Sequence, residues 1–518
     1  MDNSSVNNPS DAGIRSDLKV VAILAIVSLL VRLPFFFAAV INWDESSSIL
    51  MAQSIINGHL PYTELWNVKP PLLYYIFSSF IAIFGPTIEA VRLGGTICVA
   101  LCAICVYFCA KKIWSSRVGL FAGIISIILM TTIGGSQSTM SEHLALVPLL
   151  LSLVVLIRGK LTPGKAALVG ALLSAAGMIR LNLAFVAVAV MLLVLFSSSI
   201  RNGYGRIVLL FSIAISGLAV IAATAVPHLV TGTADLWLSA VFLAPLSYAS
   251  SQHGLIGSAL RLLFFFIRAG SGLGLVVFLA ALVFLKVSWR KSGADTPTKT
   301  SITDMERLVL MTYFASTALS ILFSGGAFQH YLIQVAPFMA MFAAAVLVPA
   351  FEQLQSPMKR RAWGAIACII VIASLIPALM GYKSIVYHAV THETLRDSPE
   401  YAIADYLRQH TRPGDGIYMM SDHIVYWFLG MPPIDKAVTH PSNIAKEYLL
   451  KHMPGEQTTT ALALTDLLSK APRYIVKPDK FNYMNAHPDA LDVLYDELAS
   501  SYVLETRISG RQIYRRIK

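Results

Sequence analysis

Charged residues are scarce in this sequence of 518 residues. Only 13% of the residues are Asp, Glu, Lys or Arg, whereas 56% are hydrophobic and the mean hydropathy is +0.66. Soluble domains contain about 25% charged residues, so this scarcity excludes an ordinary cytosolic enzyme, a disordered scaffold and a nucleic-acid-binding module. The net charge of +11 indicates basic cytoplasmic loops, with anionic lipid substrates as the alternative. The composition predicts a polytopic membrane protein.

Cysteine is also scarce, and none of the five cysteines occurs after Cys368. The other four, Cys98, Cys102, Cys105 and Cys109, recur at helical spacing within one apolar run. Thiolates are costly to form within lipid. We therefore expect these small side chains to pack helices together, and the pattern implies no disulfide framework.

Long apolar runs, by contrast, extend from residue 18 to residue 380. The first, Leu18–Ile41, follows a polar tail at residues 1–17 and lacks a small-residue cleavage site at its end, which predicts a retained signal anchor. A helix needs about 20 residues to cross ~30 Å of hydrocarbon, so several of the shorter runs must recruit flanking residues or fail to span. We predict a polytopic α-helical membrane protein with about 11–13 transmembrane helices within residues 18–382.

Basic residues cluster in alternate loops between these runs, as at Lys111 and Lys112 or at Arg360 and Arg361. The positive-inside rule makes these loops cytoplasmic. It places the tail 1–17 on the same side, and the loop 42–70 and everything after residue 382 on the outer face. One inconsistency stays open. If Pro71–Phe84 crosses the membrane fully, Lys111 falls on the wrong side, so either that run does not span or another assignment is wrong.

Residues 383–518 differ in character, because their apolar residues form short runs separated by turn signals. Together they predict a small α/β domain on the outer face. The predicted elements are helices at Pro399–His410 and Leu491–Leu498, strands at Gly416–Met420 and Arg473–Val476, and a closing hairpin formed by Tyr502–Ile508 and Arg511–Ile517.

The outer loop 42–70 has an acidic pair at one end and a lysine at the other. Asp44 and Glu45 follow the first apolar run, and Lys69 directly precedes Pro70-Pro71. A loop that lies on the membrane can bring a carboxylate and an ammonium into one interfacial cavity, although adjacent acids at a membrane boundary are also found simply solvated.

Several short motifs occur in order along the chain: Trp43-Asp44-Glu45, Val68-Lys69-Pro70-Pro71-Leu72, Ala90-Val91-Arg92-Leu93, Ser141-Glu142-His143 and Gln329-His330-Tyr331. In order and spacing they resemble the GT-C glycosyltransferase superfamily, and more closely its bacterial branch related to protein O-mannosyltransferases and aminoarabinose–lipid A transferases. The resemblance spans nearly the whole chain. It implies a GT-C type membrane domain at 18–382, a periplasmic α/β domain at 383–518, and inverting sugar transfer from a polyprenyl phosphate to an acceptor hydroxyl.

The resemblance also implies roles for individual residues. Asp44 corresponds to the general base that takes the acceptor proton, Lys69 to a point charge that holds the donor phosphate, and Glu45 to a residue that shapes the site or pairs with a cation. The further substrate-binding candidates are Arg92, Glu142, Arg180, His330 and Tyr331.

These further candidates each have a structural alternative. Arg92, near a helix end, is also placed to snorkel, whereas Arg180 interrupts two apolar runs as a charge within the membrane. Glu142 either binds acceptor, metal or water, or satisfies a helix N-terminus. His330, with Tyr331, either contacts the phosphate or the sugar, or is a structural histidine. No spacing of His, Asp and Glu residues requires a metal site, so the sequence identifies no metal ligands. It predicts no cofactor with certainty, and a requirement for a divalent cation stays open.

Two functions from different classes therefore stand. The first is a glycosyltransferase of the bacterial inner membrane, with its active site facing the periplasm, a polyprenyl-phosphate donor and an acceptor that is lipid A, a polysaccharide or a protein. The second is a transporter or flippase for a lipid-linked sugar, to which Arg92 and Arg180 would offer an anionic headgroup pathway. Transporters commonly contain internal repeats with broken helices, and no such duplication is visible here.

Overall fold

A computed structural model describes residues 9–197, 205–250, 254–290, 304–453, 455 and 458–517. It is predominantly helical, with one small sheet near the C-terminus. The α-helices are α1 (Pro9–Arg32), α2 (Trp43–Ile56), α3 (Leu72–Phe84), α4 (Ile88–Ile113), α5 (Ser116–Thr132), α6 (Ser141–Ile157), α7 (Pro163–Ile179), α8 (Ala184–Phe196), α9 (Arg206–Val230), α10 (Ala234–Leu238), α11 (Ala244–Ser250), α12 (Leu255–Arg268), α13 (Leu273–Arg290), α14 (Asp304–Phe323), α15 (Ala336–Glu352), α16 (Pro357–Thr391), α17 (Pro399–His410), α18 (Ile424–Leu429), α19 (Glu447–Leu450), α20 (Thr460–Ser469) and α21 (Pro488–Ser501). The strands are β1 (Ile417–Met419), β2 (Tyr474–Pro478), β3 (Tyr502–Ile508) and β4 (Arg511–Arg516).

The helices from α1 to α16 include the predicted membrane spans. Among the described residues, six helical segments, one of them formed by α12 and α13 together, are long and apolar enough to cross a membrane. Shorter apolar helices, such as α5, α6, α7 and α15, pack between them. The predicted polytopic α-helical fold is thus confirmed.

Two of the longest helices present apolar side chains on their outer surfaces, where no other part of the described chain covers them. The spacing of three or four residues places these side chains on one stripe of each helix. Contiguous exposed apolar surface of this kind indicates contact with lipid. The exposed residues are Ile207, Phe211, Ile215 and Leu218 on α9 and Ile366, Ile369, Ile372, Ile376 and Leu379 on α16.

The basic clusters assigned to the cytoplasm lie together at one end of the bundle. Lys111 at the end of α4 pairs with Asp17 of α1, and Arg117 at the start of α5 pairs with Glu352 at the end of α15, with Nη1 2.7 Å from Oε1. Helix α3 has 13 residues and reaches only ~20 Å at 1.5 Å per residue, less than the hydrocarbon thickness. This length fits the alternative in which Pro71–Phe84 does not span.

One predicted apolar run, Leu262–Leu285, is divided between two helices. Between α12 and α13 the backbone turns at Gly270 and Ser271, which have φ angles of 55° and 49°. This left-handed conformation favours glycine and interrupts the helical hydrogen bonding. The sequence Gly270-Ser271-Gly272 carries the signal for this break, which the hydropathy pattern alone does not reveal.

The C-terminal part forms the predicted small α/β domain. Its sheet has the strand order β1-β2-β4-β3, in which β1 and β2 are parallel and the other neighbours are antiparallel. Helix α17 has the predicted bounds Pro399–His410, and β3 and β4 form the predicted hairpin around Ser509-Gly510. Helix α16 continues to Thr391, past residue 382 where the sequence places the end of the membrane domain.

This domain packs directly on α2. His423 Nε2 lies 3.1 Å from Ser47 Oγ, and Trp427 Nε1 donates to Gln53 Oε1 at 3.2 Å. Because α2 is held between the bundle and the domain, residues 45–52 along it are buried. The side chains at the start of α2 therefore lie where the membrane domain and the C-terminal domain meet.

Candidate functional site

The site begins at the first turn of α2. Asn42 caps this helix, because its Oδ1 accepts a hydrogen bond from the Asp44 backbone N–H at 2.9 Å. Asn and Asp are favoured at this position because they satisfy the free amides of the first turn. Gly135, with a φ of 77°, passes so close to the Asn42 amide that a Cβ would lie 2.8 Å from its Nδ2. The cap thus fixes the position of Asp44.

Three basic side chains from distant parts of the chain surround the Asp44 carboxylate. Lys69 Nζ lies 3.0 Å from Oδ2, His330 Nε2 lies 3.8 Å from Oδ2, and His440 Nε2 lies 3.6 Å from Oδ1. Lys69 comes from the loop before α3, His330 from the segment before α15 and His440 from the C-terminal domain. The fold therefore joins the two ends of the loop 42–70, as the sequence predicts.

This charge environment sets the ionisation state of Asp44. Burial would raise the pKa of its carboxyl, but Lys69, followed by His440 and His330, outweighs that effect and holds the pKa well below its usual range. Burial lowers the pKa of both histidines despite the nearby carboxylates. At neutral pH the centre thus contains an ionised carboxylate, an ammonium and two neutral imidazoles.

A second carboxylate adjoins this centre through His330. Glu142 Oε1 lies 3.8 Å from His330 Nε2 and 2.8 Å from Arg180 Nη1. The Arg180 guanidinium also stacks on the Tyr331 ring, with Cζ 4.3 Å from the ring centroid, while its buried Nε has no hydrogen-bond partner among the described residues. The second carboxylate is therefore paired with a cation, and the buried Nε–H of Arg180 has no acceptor among the described residues.

Lys446 adds another cation from the C-terminal domain. Burial lowers the pKa of its ammonium to about 8, and the charges of Asp44 and Lys69 both act on it. Lys446 forms no ion pair within the described part of the chain, whereas Lys69 is already paired with Asp44. Lys446 is thus a cation close to the centre whose charge is not neutralised by a carboxylate in contact with it.

Glu45, which follows Asp44 in α2, and Arg92 of α4 are fully buried. Arg92 Nη2 lies 2.8 Å from Glu45 Oε2, Arg92 Nη1 donates to the Ala38 carbonyl at 2.6 Å, and the Thr139 amide donates to Glu45 Oε1 at 2.5 Å. Arg92 also donates to the carbonyl of Phe35. These bonds join α2, α4 and two loops, so in this arrangement the pair supports the site.

Arg32, at the end of α1, has a similar supporting position that sequence reasoning missed. Its guanidinium is buried and donates to the carbonyls of Ser136, Gln137 and Ser138 at 2.8 to 3.1 Å. The loop it holds leads directly into α6 and hence to Glu142. In the sequence Arg32 only interrupts an apolar run. This pattern indicates a charge inside the membrane domain but does not show which residues pair with it.

The sequence-predicted site residues thus fall into two groups. Asp44, Lys69, Glu142, Arg180, His330 and Tyr331 come together, whereas Glu45 and Arg92 form the buried pair behind them. Within the first group, Asp44 keeps 22% of its side-chain surface exposed and Lys69 keeps 17%, whereas Glu142 is fully buried. His440 and Lys446 were missed because the sequence carries no local sign of where the C-terminal domain docks.

The arrangement can bind an anion and move a proton. The cations of Lys69, Lys446 and Arg180 suit a phosphate, and an ionised carboxylate beside neutral histidines can accept a proton. Among the described residues, no group of three or more His, Cys, Asp or Glu side chains is placed to hold a metal ion. The divalent cation left open by the sequence stays untested.

Comparisons with known proteins connect this geometry to a fold. The family model described as dolichyl-phosphate-mannose-protein mannosyltransferase matches residues 68–230. ArnT from Cupriavidus metallidurans in the apo state superposes with a TM-score of 0.57 and 13% identity, covering 98% of this chain and 99% of that one. The same protein bound to undecaprenyl phosphate gives a TM-score of 0.58 and 14% identity, and the match covers 98% of each chain.

A third match comes from an archaeal protein. The oligosaccharyltransferase AglB from Archaeoglobus fulgidus, in complex with an inhibitory peptide and a dolichol-phosphate, gives a TM-score of 0.54 and 14% identity over 97% of this chain and 74% of that one. A search of curated protein sequences gives no match. The resemblance to GT-C glycosyltransferases is therefore confirmed at the level of the fold.

Proposed function

We propose that this protein is an inverting glycosyltransferase that moves a sugar from a polyprenyl-phosphate donor to a hydroxyl of an envelope acceptor. One observation carries the proposal: the Asp44 carboxylate lies 3.0 Å from the Lys69 ammonium within a cluster of cations at one end of the bundle. The ArnT and AglB structures that share the fold contain undecaprenyl phosphate and a dolichol-phosphate, which supports a lipid-phosphate donor here.

The donor phosphate binds among the three cations. Lys69 is paired with Asp44 in the described structure, and an arriving phosphate competes for the same ammonium. Among the described residues, Lys446 has no carboxylate partner and the Arg180 Nε has no hydrogen-bond acceptor, so both supply further positive charge. Cations placed where the leaving phosphate gains charge stabilise the transition state as well as the bound donor.

Asp44 then acts as the general base. The acceptor oxygen attacks the anomeric carbon, its proton passes to the Asp44 carboxylate, and the bond from the anomeric carbon to the phosphate oxygen breaks with its electron pair on the leaving lipid phosphate. Attack on the face opposite the leaving group inverts the anomeric configuration. Because Lys69 turns towards the phosphate when the donor binds, it releases the carboxylate for this step.

The proposed location is the periplasmic face of a bacterial inner membrane. The basic clusters at Lys111, Arg117 and their neighbours lie at the opposite end of the bundle from Asp44, and such clusters favour the cytoplasmic side. The C-terminal domain, which supplies His440 and Lys446, lies on the same side as Asp44 and is therefore periplasmic in this proposal.

A transfer assay distinguishes the enzyme from a flippase. Purified protein in lipid nanodiscs, where the two leaflets share one bulk solution, is given a polyprenyl-phosphate donor with a radiolabelled sugar and an envelope glycan extract. Transfer of label to the glycan fraction, lost in Asp44→Asn, supports the proposal. If the label instead stays on intact lipid, and that lipid moves between the leaflets of sealed vesicles, the proposal of sugar transfer is wrong and the protein transports lipid.

A further inference from the structure

A cavity of about 630 Å³ lies between α2 and the C-terminal domain. Its lining includes the aromatic residues Trp43, Phe481 and Tyr483 and the charged residues Asp422 and Arg511. Ligand pockets typically measure ~300–1,000 Å³ and combine apolar walls with a few fixed polar groups. The volume and the position of this cavity, beside Asp44 but outside the cation cluster, make it a candidate binding site.

Three aromatic rings give the cavity its apolar surface. The Trp43 and Tyr483 rings lie 6.2 Å apart at 89°, and the Phe481 and Tyr483 rings lie 5.8 Å apart at 49°. The rings are thus turned towards each other at open angles instead of stacking in parallel. Such walls accept a flat ligand that presents C–H groups on its faces and polar groups at its edge.

The polar groups of the cavity are held in fixed positions. Arg511 binds Asp422 through two hydrogen bonds, with Nε 2.7 Å from Oδ2 and Nη2 2.9 Å from Oδ1, and Ser421 Oγ donates to Asp422 Oδ2 at 2.6 Å. Glu400 and Lys480 also line the cavity, so its two acidic and two basic side chains present both donors and acceptors without a strong net charge. The chemistry therefore suits a neutral, hydroxyl-rich ligand better than an anion.

The cavity connects to the centre through two rings. Trp43 directly precedes Asp44 in α2, and its ring lies 5.9 Å from that of His440. His440 in turn lies 3.6 Å from the Asp44 carboxylate. A ligand in the cavity thus lies one side-chain layer away from the proposed base.

We propose that this cavity binds a sugar ring of the acceptor, next to the residue whose hydroxyl reacts, and that the acceptor is accordingly a glycan. The inference rests on the proposed function, because it assigns the acceptor side of the same reaction. The flat faces of the sugar contact Trp43, Phe481 and Tyr483, and its hydroxyls bond to Asp422, Arg511 and the side chain of Asn482.

Equilibrium binding to the full-length protein in detergent tests this assignment without turnover. The probe is the set of oligosaccharides released by mild acid from envelope glycolipids, compared with a Ser/Thr-rich peptide. Phe481→Ala, at a half-buried position, is expected to weaken oligosaccharide binding about tenfold by removing one aromatic wall. Tyr495→Ala, at a position 49% exposed and outside the cavity, is the matched control and is expected to bind like the wild type.

The Asp44→Asn variant separates this inference from the proposed function. It is expected to bind the oligosaccharides normally while transferring no sugar. A wild-type protein that binds no oligosaccharide, a Phe481→Ala variant that binds as well as the wild type, or selective binding of the peptide would each overturn the cavity assignment while leaving the roles of Asp44 and Lys69 intact.

Discussion

Replacing Lys69 with methionine is expected to weaken donor binding and to change the acid–base behaviour of Asp44 together. The variant keeps a side chain of similar length but removes the ammonium 3.0 Å from Asp44 Oδ2. Opposite unit charges ~4 Å apart interact by about 4 kcal/mol at an effective dielectric near 20. Since Lys69 is 17% exposed, solvent screening reduces its effect on a bound phosphate to about 2 kcal/mol, or about 30-fold in the donor KM.

The second effect concerns pH. Lys69 is the foremost of the charges that lower the pKa of Asp44, so its removal raises that pKa. In the wild type the carboxylate stays ionised down to low pH, and base activity is lost only when the pH falls through the depressed pKa. In Lys69→Met the acid limb of kcat/KM, which reports the free enzyme, is therefore expected at higher pH than in the wild type.

Steady-state assays with a labelled polyprenyl-phosphate sugar, measured across the acid range, check both effects. Lys69→Arg keeps the charge and serves as the control, so its acid limb should remain near that of the wild type. An unchanged donor KM together with an unmoved acid limb in Lys69→Met would refute the reasoning and reduce Lys69 to an interfacial anchor.

Three further predictions concern the residues around this centre. Arg92→Met is expected to destabilise the protein by about 3–5 kcal/mol, because it leaves Glu45 buried and unpaired, and the double variant Glu45→Gln/Arg92→Met should recover part of the loss in a thermal unfolding assay. His440→Gln is expected to lower kcat with little change in the unfolding temperature. A fall in kcat accompanied by a clear fall in the unfolding temperature would indicate a structural role. For Lys446, whose pKa is lowered to about 8, the donor KM should rise as the pH increases through that value, and Lys446→Arg should abolish this rise.

The elements that the sequence predicts well are those with strong local signals. Helix α17 begins with a proline and has an amphipathic pattern, and the turn Ser509-Gly510 sets the hairpin of β3 and β4. The meeting of Asp44 and Lys69 was also predicted, because both lie at the ends of one loop. In each case the information lies within a short stretch of chain.

The features that were not predicted depend on contacts between distant segments. His440 and Lys446 reach the centre only because the C-terminal domain packs on α2 through residues such as His423 and Trp427. Nothing in the sequence around residue 440 marks that docking surface. The buried partners of Arg92 were not predicted for a related reason. A charge in an apolar run indicates that an internal partner exists but does not identify it.

The most direct test of Asp44 as the base is a single-turnover measurement on Asp44→Asn with the labelled donor already bound. Asn has nearly the same shape as Asp but cannot accept the proton, so the rate of sugar transfer is expected to fall by a factor of about 10²–10⁴ while the donor still binds. Transfer at close to the wild-type rate would contradict the assignment of Asp44.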